Sequence, residues 1–306
     1  MISIGFDTSN YTTSIAYFDG SCGNNCSKLL PVKEGSLGLR QSDAVFHHTK
    51  GLPELSDRLF SAVDPSQISV VGVSTRPRAV EGSYMPCFMV GVSHAKLLAD
   101  ALHRPLVEVS HQQGHIAAAL WGADMLELID HPHLAWHLSG GTTELLLVEP
   151  NGWSVRCTKI GGSSDISAGQ LIDRTGQLLN LPFPSGKHLD ALCTSVNGKK
   201  FFRVKCENLT FSLSGLENKV KQYSEHNCSA ETADYALRSV ANAVYKTTQD
   251  AILKYPGLPV VFSGGVASNS ILREITAPLK AIYAPTRFST DNAMGVAILA
   301  HRYMEA

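Results

Sequence analysis

No apolar run in the chain reaches the ~20 residues that a membrane-spanning helix needs, so the sequence offers no transmembrane segment. The opening stretch, Met1-Ile2-Ser3-Ile4-Gly5-Phe6, lacks a basic region and a cleavage site and reads as a strand, not as a secretory leader. Both absences lead us to expect a soluble, cytoplasmic protein with no membrane partner. No sign of charge dominates either. Lys and Arg number 26 and Asp and Glu 27, for a net charge of −1, so overall charge argues neither for nor against nucleic acid. A disulfide framework is also missing, because the seven cysteines are an odd number without regular spacing. Only Cys22 and Cys26 lie close together, in a stretch that reads as a hairpin tip. Two thiols would need two further ligands to hold zinc, and ordinary thiols are the simpler reading.

What is present is 306 residues, 44% of them hydrophobic, enough for one large domain or two of ordinary size. Apolar runs alternate with helical stretches. Strands are expected at Ile2–Phe6, Ser14–Phe18, Ile68–Ser74, Pro105–Ser110, Leu134–Leu138, Thr143–Glu149, Trp153–Ile160, Leu258–Ser263 and Ala281–Ala284. Helices are expected at Ala44–Val63 (crossed by Gly51 and Pro53), Cys87–Leu102, His111–Trp121, Ser167–Leu179, Lys187–Val196, Leu216–His226, Ala230–Lys254, Ala267–Leu279 and Asp291–Met304. This is an α/β pattern. It contains an internal repeat. Ser9-Asn10-Tyr11-Thr12-Thr13 separates two apolar strands, the second ending at Asp19; Ser139-Gly140-Gly141-Thr142-Thr143 does the same, ending at Glu149. Two strand-turn-strand units of this kind point to a duplicated lobe, with small polar turns of the sort that cradle phosphate and a ligand between the lobes.

The chemistry-bearing residues begin with His111 and His115, in His-Gln-Gln-Gly-His directly after a strand. On a helix, i and i+4 share a face, so the two imidazoles can share one metal. The alternative is local capping. A carboxylate is needed as third ligand. Asp291, in Ser289-Thr290-Asp291-Asn292, also suits helix N-capping, and spacing alone does not choose it over Asp165, Asp173 or Asp190. Two imidazoles and one carboxylate would suit Fe(II) or Zn(II). In Ser263-Gly264-Gly265-Val266-Ala267-Ser268-Asn269 a buried strand meets two glycines and then a helix, where a flat ligand could approach the backbone and Asn269 could meet a ribose or base edge. The same residues could form a tight turn without ligand. Gly161-Gly162-Ser163-Ser164-Asp165, the helix with Asp173 and Arg174, and Pro182-Phe183-Pro184-Ser185-Gly186 leading to Asp190 look like ligand-facing loops, with helix capping as the alternative. Phe211-Ser212-Leu213-Ser214 reads as a loop in which Ser214 caps a helix. The basic run Lys199, Lys200, Arg203 and Lys205 reads as solvated surface, with phosphate contact as its other use.

Taken in order, His-x-x-Gly-His, Ser-Gly-Gly-Thr-Thr-Glu, Ser-Asp-x-x-Ala-Gly with a downstream Asp, Pro-x-Pro-x-Gly, Phe-Ser-Leu-Ser-Gly-Leu, Ser-Gly-Gly-Val-Ala-Ser-Asn and Ser-Thr-Asp-Asn-Ala resemble the TsaD-type family over nearly the whole chain. That family is the transferase for N6-threonylcarbamoyladenosine in tRNA, once labelled a glycoprotease. The resemblance implies the two-lobed fold of actin, sugar kinases and Hsp70, with duplicated lobes and a nucleotide cleft between them. The lobes would run over 1–130 plus about 292–306, and over 131–291. It further implies one Fe(II) or Zn(II) on His111, His115 and Asp291, and an adenine nucleotide (ATP, AMP or threonylcarbamoyl-AMP). The substrate turn would be His137, Leu138, Ser139, Gly140 and Gly141, with further contacts at Asp173, Gly186, Asp190, Gly264, Gly265 and Asn269. The implied acceptor is an ANN-decoding tRNA, and the implied partners are a smaller paralogous subunit, an ATPase subunit or a second copy of the chain.

The motifs also depart from the family. Its Thr-Ser-Cys-Asp-Glu-Thr turn reads Thr8-Ser9-Asn10-Tyr11-Thr12-Thr13 here, with both acids gone. Its Ser-Gly-Gly-His-Thr has Thr142 in place of histidine, its Gly-Pro-Gly is replaced around Arg76-Pro77-Arg78, and its Asp-Lys is Asp173-Arg174. The chain thus reads as a divergent paralogue. Two other readings follow: a non-catalytic, nucleotide-binding partner subunit, and a carbamoyltransferase with a different acceptor. A zinc peptidase would need a glutamate after the first histidine, where this chain has Gln112.

Overall fold

The computed structural model describes residues 1–31, 39–196 and 198–306. They divide into two compact units: Met1–His131 with Glu149–Cys157 and Asp291–Ala306, and Pro132–Val148 with Thr158–Thr290.

In the first unit β1 (Ile2–Thr8) turns into β2 (Thr12–Phe18) and β3 (Gly23–Leu29), and α1 (Gln41–Phe60) follows. Then come β4 (Ile68–Arg76), α2 (Phe88–Leu102), β5 (Leu106–Ser110) and α3 (His111–Gly122). The second unit holds β6 (His133–Leu138), β7 (Thr143–Asn151) and β8 (Ser154–Ser163), the far end of the β7–β8 hairpin belonging to the first unit. It continues through α4 (Ala168–Leu178), α5 (Gly186–Cys193), β9 (Cys206–Glu207), β10 (Thr210–Phe211), α6 (Ser214–Ser224) and α7 (Ser229–Lys254). β11 (Val260–Ser263), α8 (Ser270–Thr276), β12 (Ile282–Tyr283) and α9 (Thr286–Ser289) complete it, and α10 (Met294–Glu305) returns to the first.

The duplication is visible in the sheets. The first has the order β3-β2-β1-β4-β5. The second contains β8-β7-β6-β11-β12, the same arrangement, and adds β10 and β9 at one edge. In each, an antiparallel hairpin is followed by strands paired in parallel. The two repeated turns close equivalent hairpins, with Thr8 opposite Thr13 and Leu138 opposite Thr143.

Both sheets are buried on two faces, and their sequences divide the work. In the first, Ile4, Phe6, Ile68, Val71 and Val73 pack with Leu52, Leu55 and Leu59 of α1. The buried positions of α1, which include His48, Leu52, Leu55 and Leu59, recur at the three- and four-residue spacing of one helical face. The other face of β1 carries Gly5, where an added Cβ would stand 2.5 Å from Ala293 O and Ala297 N. α10 therefore lies directly on the strand. It also touches α3 through Gly295, whose Cβ would strike the Gly114 carbonyl and stand 2.8 Å from Ala118 N. In the second unit Trp136 is fully buried, stacks on Phe262 at 6.5 Å, and donates its indole N–H to Thr248 Oγ1 of α7 at 2.8 Å.

The structure corrects several boundaries. The presumed hairpin tip holding both close cysteines contains a third strand, so Cys22 is exposed at the turn while Cys26 is buried in β3. The helix expected over Ala267–Leu279 is broken at Asn269, which caps α8 by accepting from Leu272 N. The last helix begins at Met294 with Ala293 as its N-cap, so Asp291 does not cap it. Ser214 does not cap α6 either; the Asp165 carboxylate accepts there from Leu213 N and Ser214 N, at 2.8 and 3.2 Å. Among the described residues no helix is long and apolar enough to cross a membrane.

A Cβ at 295 must push α10 off α3. Gly295→Ala is expected to cost about 2–3 kcal/mol and lower the Tm by roughly 5–10 °C, read by thermal unfolding. Gly140→Ala is the control: its Cβ meets nothing within 4 Å, and stability should stay within about 0.5 kcal/mol.

Candidate metal centre

α3 begins at a fixed residue because Ser110 and Gln113 form a capping box. Ser110 Oγ accepts from Gln113 N at 3.3 Å, and Gln113 Oε1 accepts from Ser110 N at 2.8 Å. The amide of Gln113 also donates to Val155 O at 2.7 Å. With the start held, His111 and His115 stand one turn apart, and their Nε2 atoms approach to 2.9 Å. Asp291, 176 residues beyond His115, brings Oδ1 to 3.2 Å from His115 Nε2 and 3.5 Å from His111 Nε2. One donor atom from each of the three residues lies within 4.8 Å of the others.

A fourth residue, which the sequence reading missed, stands behind them. Asp7, at the end of β1 and 1% exposed, places Oδ2 2.7 Å from His111 Nδ1. A carboxylate can only accept, so Nδ1 carries a proton and Nε2 is turned toward His115 and Asp291. The signal was available: Asp7 is the one acid in an apolar strand, and a buried charge needs a partner.

The electrostatics ask for a cation at this point. Burial pushes the His111 imidazole down, but the Asp7 charge and then the Asp291 hydrogen bond outweigh it and raise it to about 10. Burial works to raise both carboxyls, yet the two imidazoles hold Asp291 well below its ordinary value, and His111 lowers Asp7. A divalent ion among the Nε2 and Oδ1 atoms would supply the same positive charge. Two imidazoles and a carboxylate with open positions suit Fe(II) or Zn(II), so the residues fit such an ion.

The rival carboxylates are engaged elsewhere. Asp165 accepts from Ser212 Oγ at 2.5 Å at the start of α6. Asp173 accepts from Ser185 N at 2.8 Å. Asp190 accepts from Asn269 Nδ2 at 2.9 Å and Ser270 Oγ at 2.7 Å.

The last two contacts also gather the other expected residues into a connected set within the second unit. The Ser139–Gly141 turn is clamped from two sides. Ser167 Oγ donates to Gly140 O at 2.6 Å, and Gly264, at φ +92°, presses on Leu138 O where a side chain would collide. Gly140, Gly141 and Gly265 face open space. Asn269 continues from Gly265 to Asp190, and Gly186 begins α5 beside Ser185. His137 is buried on β6, opposite Glu144 and beside Ser263 in register, and Leu138 is core.

The family profile described as tRNA N6-adenosine threonylcarbamoyltransferase (TsaD) matches residues 36–298. A protein of that description from Carboxydothermus hydrogenoformans is 33% identical over 274 residues, covering 84% of this chain and 78% of its own. Among solved structures, full-length HypF in a phosphate- and nucleotide-bound form superposes with a TM-score of 0.65 at 15% identity, over 100% of this chain and 46% of HypF, so the chain spans about half of that protein. A ROK-family glucokinase from Streptomyces griseus superposes with a TM-score of 0.54 at 12% identity, over 99% and 100% of the two chains. These likenesses establish the actin and sugar-kinase fold.

Purified protein should carry about one iron or zinc per chain, measured by elemental analysis, and lose it in His111→Ala and Asp291→Ala. Asp7→Asn should weaken binding 10- to 100-fold in chelator competition. Binding must expel the proton that His111 keeps up to about 10, so metal affinity should rise with pH below that value, seen by titration at several pH values.

Proposed function

Because the chain belongs to the TsaD family of tRNA N6-adenosine threonylcarbamoyltransferases, we propose that it transfers the threonylcarbamoyl group of threonylcarbamoyl-AMP to N6 of adenosine 37 in ANN-decoding tRNA. The observation that carries this reading is the convergence of His111, His115 and Asp291 with Asp7 behind them.

In the reaction the adenine N6 forms a bond to the carbamoyl carbon, the mixed-anhydride C–O bond breaks, AMP leaves, and N6 gives up a proton. An Fe(II) or Zn(II) held by His111, His115 and Asp291 would supply Lewis acidity to the acyl donor. Asp7 keeps His111 in the tautomer that offers Nε2. The Ser139–Gly141 turn offers uncovered backbone to a phosphate, and Asp173, Asp190 and Asn269 suit the hydroxyls and base edge of the nucleoside. Since acyl activation precedes this step, placing the two substrates supplies much of the acceleration.

One observation favours a second reading, a nucleotide-binding partner subunit of a complete transferase. The first turn is neutral, and Asn10 is already occupied, its Oδ1 accepting from Gln41 Nε2 at 2.5 Å.

Incubated with threonylcarbamoyl-AMP and unmodified tRNA, the protein is expected to yield N6-threonylcarbamoyladenosine, detected by mass spectrometry of nucleosides. It should also restore that base in cells lacking their own transferase. His111→Ala should lower the rate at least about a hundredfold. Tight nucleotide binding without product in either assay would favour the partner subunit.

A further inference from the structure

The segment 198–205 has no part in the reading above, yet two grooves are built on it. Lys199 and Lys200 line one of about 730 Å³ together with Tyr223, and Phe201 and Arg203 line another of about 300 Å³ together with Tyr245 and Lys246. The segment lies within the second unit and runs into β9, the edge strand of its sheet.

Its sequence alternates. Phe202 and Val204 pack against the core, and Phe202 N donates to Ser239 Oγ of α7 at 2.8 Å. Phe201, Arg203 and Lys205 are exposed between them. The outward positions of an extended segment recur at roughly 6.6 Å, a spacing comparable to that of successive phosphates along an extended strand. Lys199, Lys200 and Arg203 form no ion pair with any described residue, whereas Lys246 and Lys205 are held by Asp250 and Glu207. At the larger groove Asp234 is paired with Arg238 at 2.9 Å, and Glu231, which accepts from Cys228 N at 3.2 Å, keeps its charge. Against that one acid stand the three unpaired cations, so the strip carries an excess of positive charge although the chain as a whole carries −1. Phe201 stays 43% exposed among these cations. An acidic protein would satisfy the cations but leave a flat exposed ring without purpose. Unpaired cations interleaved with aromatic rings along a groove match the pattern that tracks single-stranded nucleic acid, with phosphates on the cations and a base on the ring.

We propose that residues 199–205, with Tyr245 of α7, form a docking strip for a looped or single-stranded part of the tRNA. This rests on the tRNA acceptor proposed above and adds a surface on which part of that RNA is held.

The test is filter binding of full-length protein to an unmodified ANN-decoding tRNA transcript, and to an oligo-uridine, over a range of salt. K199A/K200A/R203A is expected to weaken both, and to reduce the slope of log affinity against log salt by about 2. Phe201→Ala should weaken binding at least about fivefold with the salt slope kept. Both variants should keep the wild-type metal content and unfolding temperature, because the altered side chains are exposed. Wild-type tRNA affinity that the triple variant leaves unmoved overturns the strip while the acceptor reading stands, and so does, with poly-glutamate added as a third probe, a loss confined to poly-glutamate, which would mark a protein-docking surface. Loss of oligo-uridine binding in the triple variant, with no modification of tRNA by wild type, supports the strip and removes the acceptor reading.

Discussion

α10 can lie directly on β1 and α3 only because the contact points carry no side chains. Gly5 faces the α10 backbone, and Gly295 meets the carbonyl of Gly114. Asp291 stands just ahead of α10 and His115 follows Gly114 on α3. The same backbone contact that closes the first unit therefore sets the distance between a carboxylate and an imidazole 176 residues apart. A methyl group there would act on packing and on the ligand geometry together.

Around that contact the charges form a chain of dependence. Asp7 is buried at the end of a strand and would be costly alone. His111 satisfies it through Nδ1, which turns Nε2 toward Asp291 and His115. Two carboxylates then share a region with two imidazoles, and the need for positive charge is met by a proton on His111 or by a metal ion. The capping box of Ser110 and Gln113 holds the start of α3 at His111.

Much of the fold was legible from apolar periodicity. The α/β alternation, the duplicated strand-turn-strand and most helices stand where the pattern places them, because buried strands and amphipathic helices write their packing into local sequence. β3 was hidden because it has no apolar alternation: Asn24, Ser27, Lys28 and even Leu29 are exposed, and only Cys26 is buried. The break at Asn269 combines a local cap on Leu272 N with a bond to the distant Asp190, and the capping of α6 needs Asp165 from far along the chain. Asp165, Asp173, Asp190 and Asp291 are alike in local context, and only their partners in the folded chain tell them apart.

The sequence by itself determined that His111 and His115 share a helix face, because helical spacing is a local property. It also determined that two short, mostly small and polar segments, Ser9–Thr13 and Ser139–Thr143, separate apolar strands and so turn the chain. Tertiary structure decided the rest. It chose Asp291 over its rivals, brought in Asp7, and separated the clamped glycine 264 from the open glycines 140, 141 and 265. It also turned a basic run that reads as plain surface into the wall of two grooves. The physical reason is common to all of these: a ligand set and a groove are distances between chain segments, and such distances are set by which side chains are small enough, or charged enough, to bring those segments together.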